Sequence, residues 1–327
     1  MNPERNMTRN TRGFTLIELM VVIAIIALLV TLVAVSLKAV RGSARRTVSL
    51  NALKQIMMAY RSYSDDNRGQ FLPGYIGADL QDDDTDPFGN LRVTLPDGTV
   101  LNEADAQSYV WRLAPYVDHA WEVFYSELRD EGLMAQLEAE YSDGIYGPFD
   151  GLSSIVGGIS ERPTYGLNSI FVGGDSEHGG TDVADRHPWT GDPNVVPLAA
   201  TRFTQVKNPA RLIVFGAAAK ADPSGSTVYD DESFGFCELR PPYLNLGADM
   251  WIEPQWKVAA RGLVAQTPPT GFYDEPWAGL PIVRNGNDVI AVGLLDGSAS
   301  LEQASNLSRD MRRWSPFEVA LRETSNP

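Results

Sequence analysis

The sequence predicts an α+β protein in which one long N-terminal helix packs on a mainly antiparallel β-sheet head that carries additional helices. Three observations predict it. No proline occurs between Pro3 and Pro73, and apolar residues in that interval first form an unbroken run and then recur at helical spacing. Short apolar runs bounded by proline and glycine fill the second half of the chain, as strands do. An Asp-Gly pair, Asp296-Gly297, separates the last two of these runs and reads as a hairpin turn. With 43% apolar residues, 12 Phe, 12 Tyr and 7 Trp among 327 residues, the chain carries enough bulky apolar surface to fold rather than remain disordered. Its net charge of -15 repels phosphate backbones, which excludes a nucleic-acid partner. The one cysteine, Cys237, cannot form an intrachain disulfide, so the fold relies on packing, hydrogen bonds or metal.

Residues 1–13 carry Arg5, Arg9 and Arg12 against a single Glu4 and have no apolar run, which makes them a basic leader. From Phe14 the chain is almost wholly apolar for 24 residues, to Leu37. A helix of that length spans about 36 Å, against a hydrocarbon core of about 30 Å. The 19 residues from Leu19 to Leu37 carry no charge, so a membrane span over about 14–37 fits better than a buried core helix. A cleaved secretory signal is the rival, but its apolar stretch is about half as long and ends in small residues. Here the run passes instead into Lys38, Arg41, Arg45 and Arg46. Glu18 lies inside the run near one end. A carboxylate there is costly in lipid and calls for a cationic partner.

Val48, Leu53, Ile56, Met57, Tyr60 and Tyr63 continue the helical period, so a single stem helix is expected over 14–67, apolar all round at first and then along one stripe. Gly42 is its one weak point. The head, 68–327, opens with an acidic loop at 79–90 and a hairpin pattern around Pro96-Asp97-Gly98. Helices are expected over 104–117 and 120–141, the second with Trp121, Phe124, Leu128, Leu133 and Leu137 as its apolar side. Strands are expected over 164–172, 211–218 and 234–239. A closing hairpin pairs 289–295 with 298–302.

The stretch Gly13-Phe14-Thr15-Leu16-Ile17-Glu18, behind a short basic leader and ahead of an apolar helix, resembles the class III signal of type IV prepilins and type II secretion pseudopilins. The resemblance implies a lollipop architecture, cleavage after Gly13 by a membrane prepilin peptidase and methylation of the new amino group on Phe14. It implies that Glu18 pairs with the terminal amine of a neighbouring subunit in a filament. It also implies a single-pass inner-membrane protein, leader in the cytoplasm and head in the periplasm, that assembles with other pilin or pseudopilin subunits through an inner-membrane assembly platform. The positive-inside count, three arginines before the run against four basic residues after it, is nearly balanced, so orientation rests on the resemblance. The chain departs from many type IV pilins in having no proline within the stem, which favours a straighter helix.

Four further fragments are similar to a pilin-like group with a C-terminal His-x9-Asp-Gly element: residues 111–116, Tyr165-Gly166-Leu167-Asn168, the segment 208–215 and Asp296-Gly297. The histidine is missing. Gly286 stands ten positions before Asp296, which leaves Asp296 a turn role only.

The chain has no Gly-x-Ser-x-Gly elbow, phosphate loop, Gly-x-Gly-x-x-Gly, Cys-x-x-Cys or His-Glu-x-x-His pattern, and no catalytic role is assigned to any residue. Asp82, Asp84 and Asp86 alternate like the opening of a calcium loop, but Pro87 follows and Val93 stands where a bidentate glutamate is expected. Calcium, used by the major pseudopilins in a disulfide-free head, remains the candidate ion. His178 and His187 lie among Asp175, Glu177, Asp182 and Asp185, a set that suits a transition metal but also reads as a solvated glycine-rich loop. His119 stands apart. Cys237, among Phe234, Phe236 and Leu239, reads as a small buried hydrophobe. The function expected is that of a structural subunit, not an enzyme. The alternative is a prepilin-type stem that anchors a head able to capture polysaccharide or protein. Exposed tryptophans would favour the alternative and buried ones the filament subunit.

Overall fold

The interval without proline folds into one uninterrupted helix, α1 (Leu16–Asp66), that passes through Gly42 without a break. The computed structural model describes residues 16–74, 76, 81, 92–94, 98, 100–101, 103, 106–120, 123–126, 162–174, 199–221, 235–239, 244–245, 251–252, 256–259, 262–265, 277–280, 289–307 and 310–316. The side chains of 33–39, 41, 219–221, 244–245, 251–252, 256–259, 262–265, 277–279 and 311 lie outside that description. The chain divides into two compact units, residues 1–44 and 45–327. In the first, α1 is apolar around its whole circumference, and every described residue from Leu16 to Leu32 is exposed.

The second unit begins inside α1. There Ala52, Leu53, Ile56, Met57, Ala59, Tyr60 and Tyr63 are buried along one stripe. Burying a leucine-sized side chain stabilises by about 1.5–3 kcal/mol, so this stripe is a major part of the core. Among the described residues ten strands follow: β1 (Tyr165–Leu167), β2 (Ile213–Ala217), β3 (Ala219–Ala221), β4 (Leu244–Asn245), β5 (Trp251–Ile252), β6 (Trp256–Ala259), β7 (Gly262–Ala265), β8 (Trp277–Leu280), β9 (Val289–Leu294) and β10 (Ala299–Gln303). They form a four-stranded sheet in the order β1-β2-β9-β10, a second in the order β3-β8-β7-β6, and the pair β4-β5, all antiparallel.

The first sheet receives the helix. Tyr60 meets Phe215 of β2 edge-on, with ring centroids 5.6 Å apart, and also touches Phe71 at 5.8 Å; Phe215 in turn meets Tyr109 at 5.0 Å. Gly293 of β9 lies directly under the helix. A Cβ there would stand 2.9 Å from Met57 Cγ and 3.2 Å from its Sδ, so only glycine lets α1 settle on the strand without displacing Met57. Burial pushes the phenols of Tyr60 and Tyr109 well up, and both stay protonated. The hydroxyl of Tyr109 donates to the Tyr165 carbonyl at 2.5 Å, and that of Tyr165 donates to the Ser49 carbonyl of α1 at 3.3 Å.

The last described segment locks onto the same sheet. Trp314 is fully buried, and its indole N–H donates to the Leu307 carbonyl at 2.8 Å. Asn168 is also fully buried, and its Nδ2 donates to the carbonyls of Ile213 and Trp314, each at 2.9 Å. Outside this buried clasp, Asp310 accepts from Arg211 at 2.9 Å and from Arg312 Nε at 2.7 Å, while Arg313 pairs with Glu302 at 2.5 Å. Burial pushes the Asp310 carboxyl up. Hydrogen bonds from the Arg312 side chain and backbone and the charges of Arg312 and Arg211 outweigh it, and hold the carboxyl below the ordinary carboxylate range. The folded state therefore binds its proton more weakly than the unfolded chain. The resulting stability is complete above the ordinary aspartate value and is lost as pH falls through the lowered one. Acid unfolding of Asp310→Asn should show a weaker pH dependence below about pH 4 than the parent, measured by thermal melts. An identical pH profile in the two proteins would contradict these ion pairs.

Several expected elements are shorter than predicted. Over 104–117 helical structure is confined to one turn, α2 (Val110–Leu113), and a 3-10 turn (Ala114–Val117). Arg112 takes the Ala106 carbonyl at 2.6 Å and that of Ser108 at 3.3 Å, removing acceptors a longer helix would need, and Pro115 lacks the N–H to continue the ladder. Of the helix expected over 120–141, residues 123–126 form turns, with Phe124 buried, and 127–141 lie outside the described residues. Over 164–172 the strand stops at Leu167, because the chain curls back with Ser169 N–H on the Leu167 carbonyl at 2.8 Å. Residues 235–239 make no ladder, only a parallel bridge of Glu238 to Leu167. The closing hairpin forms as expected. Gly297, at φ +91°, donates to the Leu294 carbonyl at 2.9 Å, and Asp296 Oδ1 accepts from the N–H and hydroxyl of Ser298 at 2.9 and 2.6 Å. Near 98 the expected hairpin is reduced to a bridge between Thr94 and Val100.

Candidate functional site: the N-terminal end of α1

The residues that the sequence singles out for processing, Gly13 and Phe14, lie outside the described residues, which begin two positions later at Leu16. Glu18 is the third residue of α1 and the acidic residue of its first turn. A carboxylate there is favoured by the positive end of the helix macrodipole, by about 0.3–1 kcal/mol at an exposed site. Its neighbours three and four positions on are Val21 and Val22, so it is the charged residue of an otherwise apolar face. The only other polar side chain described between Leu16 and Leu32, Thr31, donates its hydroxyl to the Leu28 carbonyl at 2.7 Å. Its polarity is thus absorbed by the helix itself, as an apolar environment demands.

Leu16 is 75% exposed and Ile17 73%, and the exposure extends to Ile25, Leu28 and Leu29 on other sides of the helix. A continuous apolar sleeve of this kind is unstable in water and marks a surface meant for lipid or for other protein. Among the described residues no helix is long and apolar enough to cross a membrane. Of the span expected over 14–37, residues 14–15 and the side chains of 33–37 lie outside the described residues.

Among the described residues no group of three or more His, Cys, Asp and Glu side chains could hold a metal. Asp82, Asp84 and Asp86 lie outside the described residues, as do His178 and His187. His119 sits in a left-handed turn, φ +55°, and its N–H closes on the Ala114 carbonyl at 2.9 Å. Cys237 is buried in the core beside Phe236 and Leu239. Trp314 is buried, and Trp111 packs half-buried against a small cluster of Val93, Leu101 and Ala106. Sequence reasoning marked the Tyr165–Asn168 fragment without giving it a role. The structure assigns Tyr165 to the contact with α1 and Asn168 to the C-terminal clasp.

Comparison with curated proteins and with solved structures gives no match. Comparison with protein families matches residues 8–34 to the prokaryotic N-terminal methylation motif. That interval covers the end of the basic leader, Gly13, Phe14, Glu18 and most of the apolar sleeve, and it identifies the N-terminus of this chain as a signal of the type IV prepilin and pseudopilin kind.

Proposed function

We propose that the protein is a structural subunit, a pilin or pseudopilin, of a type IV pilus or type II secretion-like filament. A prepilin peptidase removes residues 1–13, the new amine of Phe14 is methylated, and the mature chain is held in the inner membrane by its apolar helix before it joins other subunits. The observation that carries this reading is the methylation motif at 8–34, whose described part, from Leu16 on, is an exposed apolar helix with Glu18 in its first turn. A carboxylate in such a sleeve is stable in lipid or in a filament core only beside a cation, and the amine of Phe14 on a neighbouring copy supplies one. Among the described residues, the buried side chains of Asn168 and Tyr165 hold segments of the scaffold together, which supports a structural role.

Processing is directly measurable. Mass spectrometry of the mature N-terminal peptide should find Phe14 as the first residue, carrying one methyl group on its amine. A chain that starts at Met1, or within the apolar run beyond Leu19, would refute the reading. Gly13→Leu should leave the leader attached, because a branched side chain next to the scissile bond obstructs the peptidase.

A further inference from the structure

Directly after the apolar run, α1 carries Lys38, Arg41, Arg45 and Arg46, and the helix is continuous through all four. On one helix, Lys38, Arg41 and Arg45 stand at i, i+3 and i+7, which places them on a single stripe. With a rise of 1.5 Å per residue the four follow Leu37 by about 1.5, 6, 12 and 13.5 Å. The polar headgroup zone on each side of a bilayer is about 5–7 Å deep, and long basic side chains bend several ångströms towards it. Val40, between the first two, is 63% exposed, so apolar surface persists beside the first charges. Arg45 is exposed and Arg46 half-buried.

We propose that this segment, 38–46, binds the phosphate headgroups of anionic phospholipids where the helix leaves the membrane. The inference rests on the proposed membrane anchoring of α1. An opposing force exists, because the chain as a whole carries -15 and is repelled by an anionic surface. Distance decides between them. At physiological salt, charges beyond about 8 Å are screened, whereas basic residues at the surface each attract an anionic leaflet by about 1 kcal/mol. The stripe keeps the acidic chain on an anionic bilayer until it is drawn into a filament.

The test uses the full-length protein reconstituted in vesicles of phosphatidylcholine containing phosphatidylglycerol, with spin-labelled forms of each lipid reporting which one contacts the protein. Labelled phosphatidylglycerol should be enriched over phosphatidylcholine. The preference should weaken about fivefold for each charge removed in the series Lys38→Gln, Arg41→Gln, Arg45→Gln and Arg46→Gln, the equivalent of about 1 kcal/mol per residue. It should also fall when salt is raised to about 1 M, where the screening length is about 3 Å. Equal contact with the two lipids, in protein that resists alkaline extraction from the vesicles, overturns the inference and leaves the anchoring reading intact. Release of the protein by alkaline extraction overturns the anchoring reading and the inference with it. A preference abolished by inorganic phosphate, but not by chloride of equal ionic strength, would assign the segment to free anions and overturn the lipid source.

Discussion

Glu18→Gln is expected to abolish incorporation into filaments while leaving membrane insertion and head folding unchanged. The substitution keeps the shape of the side chain and removes its charge. If Glu18 neutralises the amine of Phe14 on the next subunit, the variant leaves that amine as an uncompensated cation in an apolar core, a loss of about 3–5 kcal/mol per contact. A filament repeats the contact at every subunit, so a loss of this size suppresses growth rather than slowing it. Insertion does not suffer, because a neutral side chain enters lipid more easily than a carboxylate. The check is an immunoblot of sheared filaments against the membrane fraction. Equal membrane levels with no filament are expected. Wild-type filament yield would refute the pairing. Glu18→Asp retains the charge on a shorter arm and should retain part of the assembly.

Trp314→Ala is expected to be the most damaging single change in the head. Trp314 is fully buried, and its indole N–H satisfies the Leu307 carbonyl at 2.8 Å. Removing a buried tryptophan costs about 3–5 kcal/mol, a large share of the 5–15 kcal/mol that holds a domain folded. The carbonyl of Trp314 is also an acceptor for Asn168, so the variant loosens the tie between the C-terminal segment and β2. Urea denaturation of the head should show a lower midpoint with the slope unchanged. Trp314→Phe, which keeps most of the apolar volume and loses the hydrogen bond, should fall between the two. A midpoint for Trp314→Ala equal to that of the parent would show that residues 304–316 are not part of the cooperative unit.

What was legible in the sequence was what local rules determine. The long helix follows from an interval without proline and an apolar period, the final hairpin from Asp296-Gly297, and the N-terminal signal from six consecutive residues. All are short-range patterns. Non-local partners decided the rest. The segment before Val110 has helical composition, yet the buried Arg112 side chain takes the carbonyls that a helix ladder requires. The strand expected over 164–172 curls back after Leu167, and the turn is held by Asn168, whose side chain is engaged with Ile213 and with Trp314, 146 positions away. No periodicity announces such a contact. At the candidate site the limit was different, since the role proposed for Glu18 involves a second copy of the chain, and one sequence read alone cannot show its neighbour.

The seat of α1 on Gly293 has a consequence for how the protein is made. Leu53 and Met57 precede the glycine they rest on by about 240 positions in the chain. Until β9 arrives, Leu53 and Met57 lack the strand they rest on. β2 cannot complete its pairing either, because its partner on one side is β9. Such widely separated contacts slow folding and prolong the exposure of sticky surface. The sheet therefore closes on the helix only after β9 has been delivered. Chains interrupted before residue 293 should be substrates for proteases and holding chaperones rather than partly folded survivors.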